Sequence, residues 1–590
     1  MFASPAILPR LAASALFTEA DLYQARFAAS LARPGCEDLA AGLTALVSLA
    51  AREGHVCLHL GDATVRERLA ALGLDGTDAC LHTGVIGAPG SATPLVLDGE
   101  RLYLSRFFRD EQALARAFLR LAQTPPRNIP PHLLPDIFKA GGGETDWQDV
   151  ACFAALRGRF CVISGGPGTG KTTTVARILA LAARLHADRC LRIRLAAPTG
   201  KAASRMTEAL AAAFPGDSLP RELSDCLRES AQTVHRLLGW SAGGFRHHRD
   251  NPLPLDLLVV DEASMLDLEL TARLLDALPE HAGLILLGDR NQLASVEAGA
   301  VLANLCQEDA VNAFSTDFAA EAVAAGARGL PVTRRPGALT NHVVELKKSY
   351  RFGADSGIAA LAALVRDGEA RSAAALLERH HDDLKTRECA GHASLAAELT
   401  PLLRGAFKGL ETETDPGRAF ETFGALRLLS PVRQGPRGAE ALNRLAREVL
   451  RQASSDAWYP GRPVMILEND YNLGLFNGDV GIALPVNGAA LRVFFSGADG
   501  FASFAPARLP RHETCYAMTV HKSQGSEFRH SVLVLPEEAC PVLGRELLYT
   551  ALTRARERFT LVGSPEQVRD AVERPARRDS GLGEMLAVGA

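Results

Sequence analysis

A glycine-rich octapeptide, Gly165-Gly166-Pro167-Gly168-Thr169-Gly170-Lys171-Thr172, stands between an apolar run, FCVIS, and a helical pattern, TTTVARILALAARL. Glycines at these spacings let successive backbone N–H groups wrap a polyphosphate, while Lys171 reaches its outer phosphates and Thr172 offers a hydroxyl to Mg²⁺. A second apolar run, LLVV, ends in Asp261-Glu262-Ala263-Ser264, which sets one carboxylate for the cation beside another able to activate water. A third, in LILLGDRNQLASV, brings Gln292 to the end of a strand aimed at the same crevice. The chemistry these residues suit is hydrolysis of a nucleoside triphosphate, with ATP and Mg²⁺ as the expected cofactors.

Such loops need strands and helices to hold them. The runs FCVIS, LRIRLAA, LDLLVVD and LILLGD alternate with helical patterns, which predicts a parallel α/β sheet covered on both faces with ligands at the carboxyl ends of its strands. A second set, ALRLLS and SVLVLP, predicts another α/β unit. Between these two strands, residues 461–511 are rich in Gly and Val with alternating patterns, read as a small inserted β-barrel. The first 125 residues mix helical periodicity, with Leu22, Phe27 and Leu31 on one face, and hairpin-like stretches such as PLVLDGERLYLS. Residues 126–146 are dense in Pro and Gly and read as a linker.

The whole chain has 590 residues, enough for about four domains at roughly 150 residues each. Its 47% hydrophobic and 22% charged residues exclude a wholly disordered or collagen-like protein. With 64 Lys+Arg against 68 Asp+Glu the net charge is −4, so a polyanion must be met in a local groove, not on a broadly basic surface. The 11 cysteines lie singly, with no C-x-x-C pair, and read as reduced thiols of a cytoplasmic protein. The amino terminus lacks a basic region before its short apolar run, so no signal peptide is expected, and no apolar stretch reaches the roughly 18 residues of a membrane span.

The segments GGPGTGKTTT, APTGKAASRM, TVHRLLG, VVDEAS, GDRNQLASV, SYRF, MTVHKSQGSEF and YTALTRARERF follow the order of the superfamily 1 helicase motifs, and resemble the RecD branch most. The resemblance spans residues 147 to about 561 and extends weakly into the first segment through LVLDGERLYLSRFFRDE. It implies two RecA-like motor lobes, 147–338 and 339–561, the second carrying an SH3-like barrel at about 461–511, a separate amino-terminal α+β domain that docks on partners, and a carboxyl-terminal tail, 562–590. It also implies a 5′-to-3′ DNA helicase working with RecB and RecC on duplex ends in recombinational repair.

By this resemblance Gln148 reads adenine, Gly165 to Thr173 cradle the nucleotide, Thr172 and Asp261 hold Mg²⁺, and Glu262 acts on water. Gln292 links the γ-phosphate to DNA, and Arg351 and Arg554 are arginine fingers. Single-stranded DNA is expected on Thr199, Lys201, Thr233, His235, Thr519, His521, Ser523 and Gln524. The alternative for His235 and His521 is that of core histidines. Two acid-x-Lys spacings, Glu345-Leu346-Lys347 and Asp382-Asp383-Leu384-Lys385, offer nuclease-like carboxylates but lack the flanking strands that would fix a metal, and are read as ordinary charge. A stand-alone RecD-like helicase and an ATP-sensing regulatory subunit remain as alternatives. All motor motifs lie beyond residue 145, so a chain beginning there is expected to keep DNA-stimulated ATPase activity.

Overall fold

The computed structural model describes residues 5–74, 82–138, 145–186, 191–214, 230–241, 243–353, 355–451, 457–470, 472–486, 490–497 and 500–588. The Gly-rich centre of the expected linker, 139–144, lies outside them. No helix among the described residues is long and apolar enough to cross a membrane.

Among its described residues the first segment forms five α-helices and a small sheet of β1 (Cys57–His59), β2 (Ile86–Gly87), β3 (Leu95–Asp98) and β4 (Arg101–Leu104), in the order β1-β4-β3-β2. The hairpin legible in the sequence is β3–β4: Asp98 pairs with Arg101 across Gly99-Glu100, and Gly99 takes the positive φ of 58° that a two-residue turn requires.

Six strands build the first lobe: β5 (Phe160–Gly165), β6 (Ile193–Ala197), β7 (Gln232–Thr233), then, past the short hairpin β8 (Trp240–Ser241) and β9 (Gly244–Phe245), β10 (Leu257–Val260), β11 (Gly283–Gly288) and β12 (Val343–Leu346). Their order is β12-β5-β11-β10-β6-β7, with every ladder parallel. The second lobe holds β13 (Leu384–Arg387) and β14 (Leu426–Ser430). After them come the antiparallel insertion of β15 (Pro463–Ile466), β16 (Val480–Val486), β17 (Ala490–Gly497), β18 (Gly500–Phe504) and β19 (His512–Thr514), then β20 (Ala517–Thr519), β21 (Phe528–Val534) and β22 (Ala555–Val562). The lobe's parallel order is β13-β22-β21-β14-β20. The insertion runs β18-β17-β16-β15-β19, and no ladder among the described residues joins its edge strands β18 and β19.

Three boundaries differ from the sequence expectation. The first lobe does not end at 338: β12 pairs with β5, and Val343, Val344 and Leu346 are buried in that lobe, so the crossover follows Leu346. The strand is only four residues long and runs straight into KKSYRF, which hid it. The Pro-rich stretch is not a free spacer, because Ile129, Leu133, Ile137 and Phe138 are buried with Val150, Phe153 and Ile178 of the motor. The last residues are not a loose tail. Helix Pro565–Val572 buries Val568 and Val572 in the second lobe, and the chain then returns to the amino-terminal domain. There Val56 N–H donates to the Asp579 carbonyl at 2.8 Å, the Gly581 N–H donates to the buried Glu111 carboxylate at 3.0 Å, and Leu582 and Leu586 fill the core around Tyr103 and Phe108.

The amino-terminal domain is also fused to the motor. Helix Ser105–Ala122 lies against helix Leu268–Asp276, and Phe118 packs on Phe160 of β5 with ring centres 5.3 Å apart. Phe107, Phe108, Leu114, Phe118 and Leu121 are all buried in one core with β10 and β11. At about 2 kcal/mol per buried large apolar side chain these five contribute roughly 10 kcal/mol, comparable with the whole stability of a domain. A chain beginning at Thr145 is therefore expected to lose cooperative melting and to aggregate, against the sequence-based expectation of an active fragment. Soluble fragment melting within a few degrees of the full chain would contradict this fusion of cores.

Candidate nucleotide site between the lobes

The glycine-rich loop leaves β5 and enters helix Lys171–Leu185 with Gly168 and Gly170 at φ 75° and 82°. Side chains at either position would strain the backbone and collide, at Gly168 with Arg351 and at Gly170 with Gln148. The N–H groups of the first helical turn face a cleft of about 290 Å³, lined by residues 167–173, Asp261, Glu262 and Gln292 from the first lobe and Glu527 and Arg554 from the second. Lys171 Nζ rests on the carbonyls of Gly165 and Gly166, the latter at 3.2 Å. Gln148 donates from Nε2 to the Thr169 carbonyl at 3.0 Å, which ties the helix Trp147–Arg157 to the loop.

Asp261 and Glu262 leave the end of β10 in different conformations. Glu262 has φ 52°, a left-handed backbone rarely used by a residue with a long side chain, and such strain collects at functional sites. Burial raises the Asp261 carboxyl above the usual carboxylate range and the adjacent Glu262 charge adds to this, with Lys171 opposing. A buried carboxylate beside a second one, with the Thr172 hydroxyl in the same cleft, fits a divalent cation, whose charge would relieve both effects.

Gln292 and Arg554 meet across the lobes. Arg554, 2% exposed, donates from Nη2 to Gln292 Oε1 at 3.0 Å, from Nη1 to the Ser526 carbonyl at 3.1 Å and from Nε to the Thr550 carbonyl at 3.1 Å. Burial lowers its pKa, with Glu262 and Glu527 pulling the other way. Gln292 Nε2 donates in turn to Asp289 Oδ2 at 3.2 Å, an atom that also accepts the Tyr549 hydroxyl at 3.1 Å. Burial and the Asp289 charge push the Tyr549 phenol well up, so it stays a donor. Arg351 lies against the phosphate loop: the Tyr350 N–H donates to the Gly168 carbonyl at 2.8 Å, and the guanidinium pairs with Glu527.

The residues expected to grip DNA are less open than their motifs suggest. Thr199, Thr233 and Thr519 turn their hydroxyls onto the N–H groups of Ala202, Arg236 and Lys522. Ser523 is buried and donates to the Val520 carbonyl, and Gln524 donates across the lobes to the Leu293 carbonyl at 2.8 Å. Lys201 is pushed down to about 8, first by burial and then by Arg427 and Arg205. Burial likewise lowers the His521 and His235 imidazoles. His235 packs 6.0 Å from Phe245 in a second cleft of about 340 Å³, which also holds the half-exposed Trp240. Thr233 and Thr519 stand on β7 and β20, each an edge strand of its own lobe's sheet.

Of the nuclease-like acids, Glu345 lies on β12 paired with Arg290 at 3.2 Å, and Asp383 caps a helix by accepting from the Ser356 hydroxyl and the Gly357 N–H. Sequence reading missed Arg205, Glu527 and Tyr549. All three lie inside quoted motifs; a charged side chain within a motif was the available signal for the first two, whereas the contact of Tyr549 with Asp289 is set only by the fold.

Two all-parallel lobes with a phosphate loop, paired acids and arginines meeting at one cleft define a P-loop helicase motor. Family profiles agree along the chain: "RecBCD enzyme subunit RecD, N-terminal domain" matches residues 13–103, "AAA domain" 148–298 and "UvrD-like helicase C-terminal domain" 514–562. The RecBCD enzyme subunit RecD of Mycolicibacterium smegmatis is 38% identical over 559 residues, covering 92% of each chain, and that of Haemophilus influenzae is 37% identical over 477 residues, covering 75% of this chain and 72% of the relative. The ATP-dependent RecD2 DNA helicase of Deinococcus radiodurans is 33% identical over 523 residues, 85% of this chain but 61% of the relative. Among solved structures, the Pif1 helicase from Candida albicans aligns over 72% of this chain and 95% of its own with 16% identity and a TM-score of 0.35. The chain belongs to the RecD family of superfamily 1 helicases, and it is an ATP-dependent DNA helicase.

Lys171 is partly exposed and bonds only to loop carbonyls. Lys171→Gln is expected to leave the melting curve within about 0.5 kcal/mol of wild type while abolishing the thermal shift given by Mg²⁺-ATP. A wild-type nucleotide shift in the folded variant would overturn the phosphate-binding role.

Proposed function

We propose that this chain is the 5′-to-3′ DNA motor of a RecBCD-type (exodeoxyribonuclease V) complex, unwinding duplex ends for recombinational repair. The observation that carries the motor reading is the single cleft to which the first lobe brings Lys171, Asp261, Glu262 and Gln292 and the second brings Arg554. In this reading the N–H groups of the loop and Lys171 hold the phosphates, and Thr172 and Asp261 would hold a Mg²⁺ ion, which would supply positive charge against the phosphates. Glu262 orients and deprotonates the attacking water. Arg351 and Arg554 spread positive charge over the transferring phosphoryl group, and because Arg554 sits on the second lobe, turnover requires both lobes to meet. Gln292 reports the γ-phosphate to the DNA side through its neighbours Leu293 and Gln524. Gln148, bonded to the loop, is positioned to read the base.

Single-stranded DNA is assigned to the side marked by β7 and β20, on Thr199, Lys201, Thr233, His235, Thr519, His521, Ser523 and Gln524, with Trp240 as an added stacking surface. Hydroxyls that now cap turns leave their loops' remaining N–H groups for phosphates. The antiparallel insertion, read as an SH3-like barrel, borders this side, since Phe476 lies against Gly200.

Glu262→Gln is expected to bind Mg²⁺-ATP normally and to hydrolyse it about 10²- to 10⁴-fold more slowly, because the amide keeps the size and loses the basicity. Loss of nucleotide binding in a fluorescent-ATP titration would instead make Glu262 a ligand of the cation. Arg351→Ala and Arg554→Ala are expected to lower kcat by about 10³-fold or more with smaller effects on KM. Wild-type turnover in either variant removes that finger.

The partner role rests on the family and on one surface. Of the face expected in the first segment, Leu22 is buried in its own domain, whereas Tyr23, Phe27 and Leu31 are 73%, 57% and 50% exposed on helix Glu19–Leu31. They recur at helical spacing and form an apolar stripe suited to RecB or RecC. The double substitution Tyr23→Glu with Phe27→Glu is expected to keep ATPase activity and to abolish co-purification with RecB and RecC. Normal assembly would return the stand-alone helicase reading to the front.

A further inference from the structure

Glu527 is the penultimate residue of the segment MTVHKSQGSEF, and none of the roles above uses it. One of its oxygens engages Arg351 Nη2, and the other forms an ion pair with Arg205 Nη2 at 3.1 Å and accepts from Arg556 Nε at 3.0 Å. The three guanidiniums come from three parts of the molecule: Arg205 from the first-lobe helix Gly200–Ala213, Arg351 from the segment joining the lobes, and Arg556 from β22 of the second. Glu527 is 15% exposed and lines the nucleotide cleft beside Lys171 and Asp261. Burial works against its ionisation, but Arg205 and Arg351 outweigh that and hold its carboxyl down to about 2, so it is a fixed negative charge at working pH.

Arg205 grips the same segment twice, because it also donates from Nη1 to the Gly525 carbonyl at 2.6 Å. The loop that carries Thr519, His521, Ser523 and Gln524 is thereby anchored at its far end by Arg205, Arg351 and Glu527 together. A bound triphosphate brings a larger negative charge to the loop of Gly168, against which Arg351 already lies. A guanidinium is a rigid fork, so turning its donors toward a phosphate withdraws them from the carboxylate, and a triphosphate carries more negative charge than a single carboxylate.

We propose that Glu527 is a positioning residue that holds Arg351 beside the cleft and yields it to the γ-phosphate when ATP binds, and that this exchange loosens the 519–527 loop so that ATP alters the grip on DNA. The inference rests on the reading of Arg351 as a finger and of that loop as DNA-binding. It makes this carboxylate a second point, besides Gln292, where nucleotide state is passed to the DNA loop of the second lobe.

The test is the affinity of the full chain, in its complex where assembly requires it, for a fluorescent single-stranded oligonucleotide, with and without a non-hydrolysable ATP analogue. Wild type is expected to show a ratio of roughly fivefold or more between the two states. In Glu527→Gln the ratio is expected to fall within about twofold of unity, and KM for ATP is expected to fall several-fold because the competing anion is gone. Glu527→Asp, which keeps the charge on a shorter arm, should lie between; if the Gln variant does not fold, the Asp variant carries the test. A wild-type ratio with unchanged KM in the folded variant overturns the proposal, as does a ratio of one in the wild type. If Arg351→Ala keeps wild-type turnover the finger reading fails; if it loses turnover while Glu527→Gln keeps the wild-type ratio and KM, the finger stands and the exchange fails.

Discussion

Arg554 carries a positive charge to a place only 2% exposed, where among the described residues it bonds carbonyls, a hydroxyl and the amide of Gln292, with the Glu262 and Glu527 charges nearby but no carboxylate bonded to it. Burying a guanidinium without an ion pair costs several kcal/mol unless its donors are met, and here one of them is met only across the cleft. The hydrogen bond to Gln292 therefore requires the two lobes to be apposed, and the placement of the phosphate loop, the acids and the arginines around one cleft follows from that apposition. A polyphosphate is the natural counter-charge for a cation held this way, so the site is arranged around a group it expects to receive.

The surroundings of Gln292 extend the constraint. Asp289 accepts from Gln292 and Tyr549, the Leu293 N–H donates to the Thr550 hydroxyl at 2.9 Å, and the Leu293 carbonyl accepts from Gln524. Arg578 from the returning carboxyl-terminal segment donates to the carbonyls of Ser295, Glu297 and Gly299, the last two at 2.7 and 3.1 Å. The loop after β11 thus touches the nucleotide cleft, the second lobe, the DNA-side loop and the segment that clasps the amino-terminal domain. A shift in this one loop has routes to all four.

The first-lobe residues of the cleft were legible because Lys171, Asp261 and Gln292 each follow an apolar strand, β5, β10 and β11, where sequence gives both the strand and the loop chemistry. The parallel lobes were legible for the same reason. What escaped was set by long-range packing. β12 is too short to announce itself, and only its ladder with β5 assigns it to the first lobe. The proline-rich stretch and the final residues carry apolar side chains at irregular spacing, and Leu133, Phe138 and Leu582 are explained only by the cores that receive them. Phe27 and Leu31 share a helical period with the buried Leu22, yet they lie exposed because the helix presents a different face to its own domain. On the DNA side residue type indicated the loops, while the hydroxyls themselves are engaged in capping them.

The central claim is that Gln292 and Arg554 act as one unit across the cleft. A double-mutant cycle on DNA-stimulated ATP turnover measures this directly, using Gln292→Ala, Arg554→Ala and the pair together in the assembled complex. If the two act as a unit, the double variant turns over no more slowly than the worse single variant, leaving a coupling of about 1 kcal/mol or more. If the losses of the two single variants multiply in the double variant, the residues work independently and the account of lobe-dependent hydrolysis is wrong.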